Sequence, residues 1–265
     1  APTFGAIQLE DISAPRCFEI EEALQELPIP VMHDDQHGTA VVVLAGLINS
    51  CKVLKKNIED LIIVINGAGA AGIAIANLLK CVGYNLNVCT RAKDVIVCDS
   101  KGIIHKGRGS LNKYKERLLK HTNLQNKTGS LADAIKGADV FIGVSVAGAL
   151  TGEMIKTMNK DPIIFAMANP VPEIMPDVAK KAGAAIIATG RSDFQNQVNN
   201  AVVYPGMFKG MLAVRTERRS KIIEIASAHA VAKTVKKPTR NKILPDVFDK
   251  RLAKNIVNAI KRVHQ

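Results

Sequence analysis

The sequence has no tryptophan, three tyrosines and seven phenylalanines, and that scarcity argues against one class of function. Proteins that grip single-stranded nucleic acid stack bases on exposed aromatic rings set among basic residues, and no such interleaving occurs here. Acidic residues are also in the minority, 24 Asp and Glu against 36 Lys and Arg, for a formal net charge of +12. Without aromatic platforms that excess reads as a field that draws in an anionic substrate and cofactor rather than as a nucleic-acid surface. Cysteines are few: Cys17, Cys51, Cys81, Cys89 and Cys98 are odd in number, scattered and never in a CxxC spacing. That layout argues against zinc ribbons and disulfides and for reduced thiols in the cytoplasm or an organelle matrix. No apolar run approaches the roughly 20 residues of a membrane span, and no N-terminal stretch has a signal-peptide layout, so no membrane role is expected. Repeats and low-complexity segments are missing too. The chain opens on Ala1 rather than Met, with an informative motif inside the first ten residues, and the expectation is that an N-terminal domain has been cut away.

What is present is organised around Leu61-Ile-Ile-Val-Ile-Asn-Gly-Ala-Gly-Ala-Ala-Gly72 and the Ile73-Ala-Ile-Ala-Asn-Leu-Leu79 that follows. A continuous apolar run ending in glycines reads as a strand buried on both faces, and the periodicity after it reads as a helix. In this strand, turn and helix, Gly67 allows a tight turn and Gly69 lets backbone N–H groups approach a pyrophosphate. Gly72 lets the helix pack on the strand, with the phosphates at its positive N-terminus. Gly67, Ala68, Gly69, Ala70, Ala71 and Gly72 are therefore the expected dinucleotide-binding residues. The fold class that follows is α/β: a Rossmann-type, doubly wound, mostly parallel sheet with flanking helices.

The densest polar chemistry precedes that unit. Gly5 to Ile12 is strand-like and ends on Glu10 and Asp11; Phe18 to Leu27 has helical spacing and is closed by Pro28 and Pro30; Asp34 and Asp35 follow shortly before Gly38. Two carboxylate pairs, each ending an apolar segment, suit a hard divalent cation such as Mg²⁺ or Mn²⁺. His33 and His37 stand four apart, a zinc-like spacing on a helix, but Gly38 and the two acids favour a loop and structural histidines. Thr39 to Val53 reads as a buried helix with Thr39 as its cap. Residues 1–38 are expected to form a metal-binding segment at the junction to an N-terminal domain, 39–215 the dinucleotide-binding domain, and 216–265 C-terminal packing helices.

The second Rossmann strand is ambiguous between Asn87–Thr90 and Asp94–Asp99. An acid at its end would hold the ribose hydroxyls of NAD and an arginine would favour the extra phosphate of NADP, so the choice is Asp99 against Arg91. Gly102 to Gln125 reads as a basic surface excursion with no assigned chemistry. Ser130 to Lys136 is a short helix capped by its serine, and Ala138 to Ser145 is the next strand; Gly148 and Gly152 follow it, where backbone passes close to a dinucleotide. Pro162–Asn169 and Ala184–Gly190 are further buried strands. Ligands of such sheets sit outside the carboxyl ends of the strands, where Ser145, Asn169, Asn199 and Asn200 fall. The helical pattern of Asp249 to Val263 carries one apolar stripe, Leu252, Ile256, Ile260 and Val263, and the basic 236–242 stretch before it is a solvated linker.

Gln8-Leu-Glu-Asp-Ile12, His33-Asp-Asp-Gln-His-Gly-Thr-Ala40, the glycine turn, Ala168-Asn-Pro170, Gly190-Arg-Ser-Asp193 and Asn199-Asn-Ala-Val-Val-Tyr-Pro-Gly206 together resemble the malic enzymes, in the short form of bacteria and some protists, over essentially the whole chain. The resemblance implies oxidative decarboxylation of (S)-malate to pyruvate and CO₂ with reduction of NAD, or of NADP as the alternative coenzyme, on a divalent metal. By it Glu10, Asp11 and Asp35 would ligate Mg²⁺ or Mn²⁺, and Asp34 would belong to the proton-transfer network. Asn169, Asn199 and Asn200 would hold the substrate carboxylate or the cofactor amide, Ser145 would join the cofactor residues, and Asp99 would be the ribose ligand. It further implies a homodimer and a catalytic tyrosine and lysine upstream of the Glu-Asp motif; Tyr84, Tyr114 and Tyr204 are not in matching motifs. Residues 85–92 read as an insertion, and Gln195 replaces a usual proline. Two other readings stay open: a non-catalytic dinucleotide-binding or assembly domain, and a metal-dependent hydrolase or lyase using His33, Asp34 and His37.

Overall fold

Five apolar segments line up into one sheet because these strands are largely buried and can only be satisfied in the interior of a layered α/β molecule, and a two-residue strand, Gly102–Ile103, pairs at one edge. The computed structural model describes residues 3–264; Ala1, Pro2 and Gln265 lie outside them, so the expectation about the chain's first residue is not addressed. The sheet runs β5 (Gly102–Ile103), β4 (Asp94–Asp99), β3 (Ile62–Asn66), β6 (Val140–Gly143), β7 (Ile163–Ala166) and β8 (Ile186–Thr189) in spatial order. All neighbours are parallel except the edge pair β4 and β5. The chain winds outward from β3 to one side and then returns to β6 on the other, which places a topological switch point at the glycine turn after β3.

Alternation along the strands feeds two cores. Ile63, Ile65, Val97, Ile142 and Phe165 face one side, where α2 (Asp34–Leu54), α3 (Ala70–Leu79), α9 (Lys221–Thr234) and α10 (Leu252–His264) pack. Val64, Ile96, Phe141 and Ile164 face the other, covered by α5 (Leu131–Ile135), α6 (Gly152–Lys156) and α7 (Pro176–Lys181). A second, two-stranded parallel sheet pairs β1 (Ile7–Leu9) with β2 (Val31–His33), joined through α1 (Arg16–Leu24). The expected capping serine is in place, since Ser130 and Asp133 form a reciprocal box at the start of α5.

Several local expectations change. The residues from Asp34 onward are not a loop: α2 begins at Asp34 with His33 as its extended N-cap residue, and Thr39 lies inside the helix rather than capping it. Two acids in the first turn suit the helix dipole, and Gly38 fits the interior because a side chain there would strike Asp34 and Asn200. The helix therefore runs continuously across the 38/39 boundary. By length and composition α2 could cross a membrane, but 72% of its apolar window is buried inside the protein, as in a core helix. Asn87–Thr90 is a turn running into irregular loop, and β4 is the second strand. The cysteine expectation also fails: Cys81, just past the Lys80 cap of α3, and Cys89, in the loop before β4, form a disulfide, with their Cα atoms 5.9 Å apart. The residue 80–92 loop folds back on the helix end, bringing together two cysteines that no sequence pattern pairs. Cys17, Cys51 and Cys98 are free and buried.

One helix was not legible at all. α8 (Tyr204–Ala213) carries Pro205, Gly206 and Gly210, residues that argue against a helix interior. The proline sits in the first turn, where its missing N–H costs nothing. A Cβ added at Gly206 would lie 3.0 Å from Cβ of Ile256, and one added at Gly210 would lie 2.5 Å from Cδ1 of Ile260. The two glycines let α8 lie directly on α10.

Candidate functional site

The glycine turn closes as its spacing demands. Gly67 adopts φ +120°, and a side chain there would collide with the Val144 carbonyl; one on Gly72 would collide with the Gly67 carbonyl. A side chain on Gly69, by contrast, would meet no protein atom within 4 Å. The first and third glycines are required by the protein, and the middle one faces free space at the N-cap of α3, where an anion is favoured.

Asp99 ends β4, in register beside the turn, with Gly67 N donating to the Cys98 carbonyl at 2.9 Å. Arg91 precedes β4 and lies at the opposite end of the strand, so of the two candidates Asp99 alone is near the turn. Its carboxylate is not free. Arg108 donates to both oxygens at 2.6 Å and Lys115 donates to Oδ2 at 2.7 Å. Burial pushes the carboxyl up, but the bonds from Arg108 and Lys115 more than reverse it and hold it at about 2. The basic excursion thus carries chemistry that sequence reasoning missed: β5 and the loop to α4 (Lys113–Leu118) fold back to bring both cations to Asp99.

A cleft of about 310 Å³ opens at the carboxyl ends of β6, β7 and β8, lined among others by Asp35, Ala71, Ser145, Asn169, Asn199 and Asn200. Five of the expected site residues, drawn from α2 and three loops, and one from the glycine turn are therefore gathered in one place. Gly148 and Gly152 do not border it, and Gly152 instead starts α6 against Ala182. Asn66 donates to Ser145 Oγ at 2.7 Å, and the fully buried Glu173 accepts from Ser145 N at 2.9 Å and Ala168 N at 3.0 Å.

Behind Asp35 lies Asp34, fully buried, with Oδ2 accepting from Asn200 Nδ2 at 2.9 Å and Oδ1 without any hydrogen-bond partner. Burial, followed by repulsion from Glu10 and Asp35, raises its carboxyl to about 7. Asp35 Oδ2 accepts from the Asp11 backbone N–H at 3.1 Å, while Glu10 Oε2 is turned to Gln8 at 2.9 Å. An orphaned buried oxygen among mutually repelling carboxylates has the donor chemistry a hard cation requires. The acids are nevertheless not drawn into a ligating cluster: among the described residues no group of three or more His, Cys, Asp or Glu is placed to hold a metal ion. Burial lowers the His33 pKa, and both its ring nitrogens lack hydrogen-bond partners. His37 directs Nε2 to Glu21 at 2.8 Å and Nδ1 to Glu224 at 3.2 Å. That engagement removes it from any His33–Asp34–His37 zinc site.

These features can be set against known proteins. A family model described as the NAD-binding domain of malic enzyme matches residues 36–264. The chain belongs to the malic enzyme family. It is 51% identical over 265 residues to the bifunctional malic/malolactic enzyme of Bacillus subtilis, covering 98% of this chain and 63% of that protein. With the NAD-dependent malic enzyme of Geobacillus stearothermophilus it shares 47% identity, covering 98% of this chain and 53% of the relative. The solved NAD-dependent malic enzyme of Thermotoga maritima superposes with a TM-score of 0.91 at 44% identity, covering 98% of this chain and 67% of that one. The chain thus spans only about half to two thirds of the malic enzymes it matches here, and within that span it has their mixed α/β fold with a mostly parallel sheet.

Proposed function

We propose that these residues are the coenzyme- and metal-binding part of a malic enzyme that converts (S)-malate to pyruvate and CO₂ with reduction of NAD(P). The observation that carries this reading is the cleft that gathers Asp35, Ser145 and the asparagines beside the glycine turn, with the buried Asp34 held behind it by the Asn200 amide. In this reading the amides of residues 67–72 hold the pyrophosphate. Asn169, Asn199 and Asn200 hold the substrate carboxylate and the coenzyme amide, and Asp34, bonded to the Asn200 amide, belongs to the proton-transfer network. Glu10, Asp11 and Asp35 would hold Mg²⁺ or Mn²⁺. A bound divalent ion would polarise the hydroxyl and stabilise the charge left as CO₂ departs, and bound NAD(P) would accept the hydride.

Asp99 favours a free ribose 2′-hydroxyl, but with Arg108 and Lys115 neutralising it, a 2′-phosphate is also accommodated, so we propose that both coenzymes are used. A homodimer in the cytoplasm or an organelle matrix completes the reading; light scattering checks the first, and thiol counting under native conditions checks whether the Cys81–Cys89 bridge exists there.

The deciding assay is malate-dependent formation of NADH and NADPH with Mn²⁺, comparing these 265 residues with the same residues joined to the upstream portion of the Geobacillus relative. Turnover with both coenzymes in the longer protein alone is the expected result. Coenzyme binding without turnover in either would leave a non-catalytic dinucleotide-binding domain.

A further inference from the structure

Glu173 is a carboxylate with no exposure at all and, among the described residues, no ion-pair partner. Burying such a group costs several kcal/mol unless hydrogen bonds replace its water, and a leucine would fill the same space without that cost. What a leucine could not do is accept hydrogen bonds. Glu173 Oε1 accepts from Ser145 N at 2.9 Å and Oε2 from Ala168 N at 3.0 Å. Its backbone carbonyl accepts from Leu150 N at 3.1 Å. The neighbouring strand makes room for it: β6 ends on Gly143, and any side chain there would overlap the Glu173 carboxylate. On the other side, Ser145 Oγ accepts from Asn66, the last residue of β3, at 2.7 Å.

The ends of β3, β6 and β7 are thus joined in one hydrogen-bonded net centred on a single carboxylate. The residues it fixes are Ser145 itself and Ala168, immediately before Asn169, and all three line the cleft. In a doubly wound sheet the dinucleotide straddles the switch point, one mononucleotide on each half. Here the glycine turn and Asp99 belong to the adenosine half, and the loops after β6 and β7 belong to the nicotinamide half.

We propose that Glu173 is a positioning residue for the nicotinamide half of the coenzyme, setting the separation and orientation of the Ser145 and Asn169 loops without touching the ligand. The proposal rests on the dinucleotide-binding reading above. Glu173→Gln keeps the size but turns an N–H group toward a backbone N–H, so one loop is released.

The test titrates the full chain and its Glu173→Gln variant with NADH, by fluorescence, and with ADP, which occupies only the adenosine half. NADH affinity in the variant is expected to fall about tenfold while ADP affinity stays within about twofold. Equal losses for both ligands would assign Glu173 a general structural role, and no loss for either would also overturn the proposal. A wild-type chain that binds neither ligand would instead overturn the dinucleotide reading, and the proposal with it. Should the variant not fold, amide exchange in the wild type decides. The Ser145 and Ala168 amides are expected to exchange as slowly as those of β6 and β7; exchange as fast as in exposed loops would show that no clamp exists.

Discussion

At the scale of the residue, the glycines separate two demands that a motif pattern treats as one. Gly72 is required by the protein's own packing, because the only place for a methyl group is occupied by the Gly67 carbonyl. Gly69 faces open space with φ −91°, a backbone that alanine adopts freely. Gly72→Ala is therefore expected to destabilise the fold by about 3 kcal/mol or more, read from denaturant unfolding. Gly69→Ala is expected to move the thermal midpoint by less than about 2 °C while weakening NADH binding about tenfold. Equal effects of the two substitutions on stability would show that the middle glycine is structural as well. Asp35, Ser145, Asn169, Asn199 and Asn200 could be singled out from the sequence because each stands beside a motif or a strand end, and the fold brings them to one cleft. Glu173, Arg108 and Lys115 could not, since each acts on a partner 9 to 28 residues away that only folding brings near.

At the scale of the element, α2 and α8 show where local rules mislead. Asp-Asp followed by glycine looks like a loop until β2 delivers the chain directly into a helix whose first turn favours acids. For α8, two glycines a turn apart read as weakness, yet they are the contact surface for α10. Gly210→Leu should improve intrinsic helix propensity by about 1 kcal/mol and still lower stability by about 1–3 kcal/mol through overpacking against Ile260. Thermal unfolding followed by circular dichroism measures the balance, and a rise in midpoint would refute the close-packing account.

At the scale of the whole molecule, a buried charge network joins parts of the chain that the strand order keeps apart. Glu224, almost fully buried on α9, is bonded by Arg219, by the Tyr84 hydroxyl from the disulfide-bearing loop, and by His37 of α2. Glu21 of α1 closes the ring through His37 and Arg219. Burial pushes the Glu224 carboxyl up, but Arg219, then His37, outweigh it and bring it from an ordinary 4.5 to about 2. A carboxyl whose value is depressed by folding contributes stability that is complete above its unfolded value and is lost as the pH falls toward the folded one. Midpoints recorded on acidification are thus expected to fall between about 4.5 and about 2. Glu224→Gln should start from a lower midpoint at neutral pH and lose less of it over that window; an unchanged acid slope would show that the network does not contribute.

The sequence by itself determined the α/β class, the glycine turn, most strands and the family, because buried strands, glycine turns and short polar motifs each leave a short-range signature in residue type and spacing. Only the tertiary structure decided that Asp99 rather than Arg91 stands beside the turn and which cations pair with it, that Cys81 meets Cys89, that α8 lies on α10 through its glycines, and that one buried glutamate ties three strand ends together. Those are pairings between segments distant along the chain. Their partners are chosen by how sheet and helices pack, and no local pattern encodes that choice.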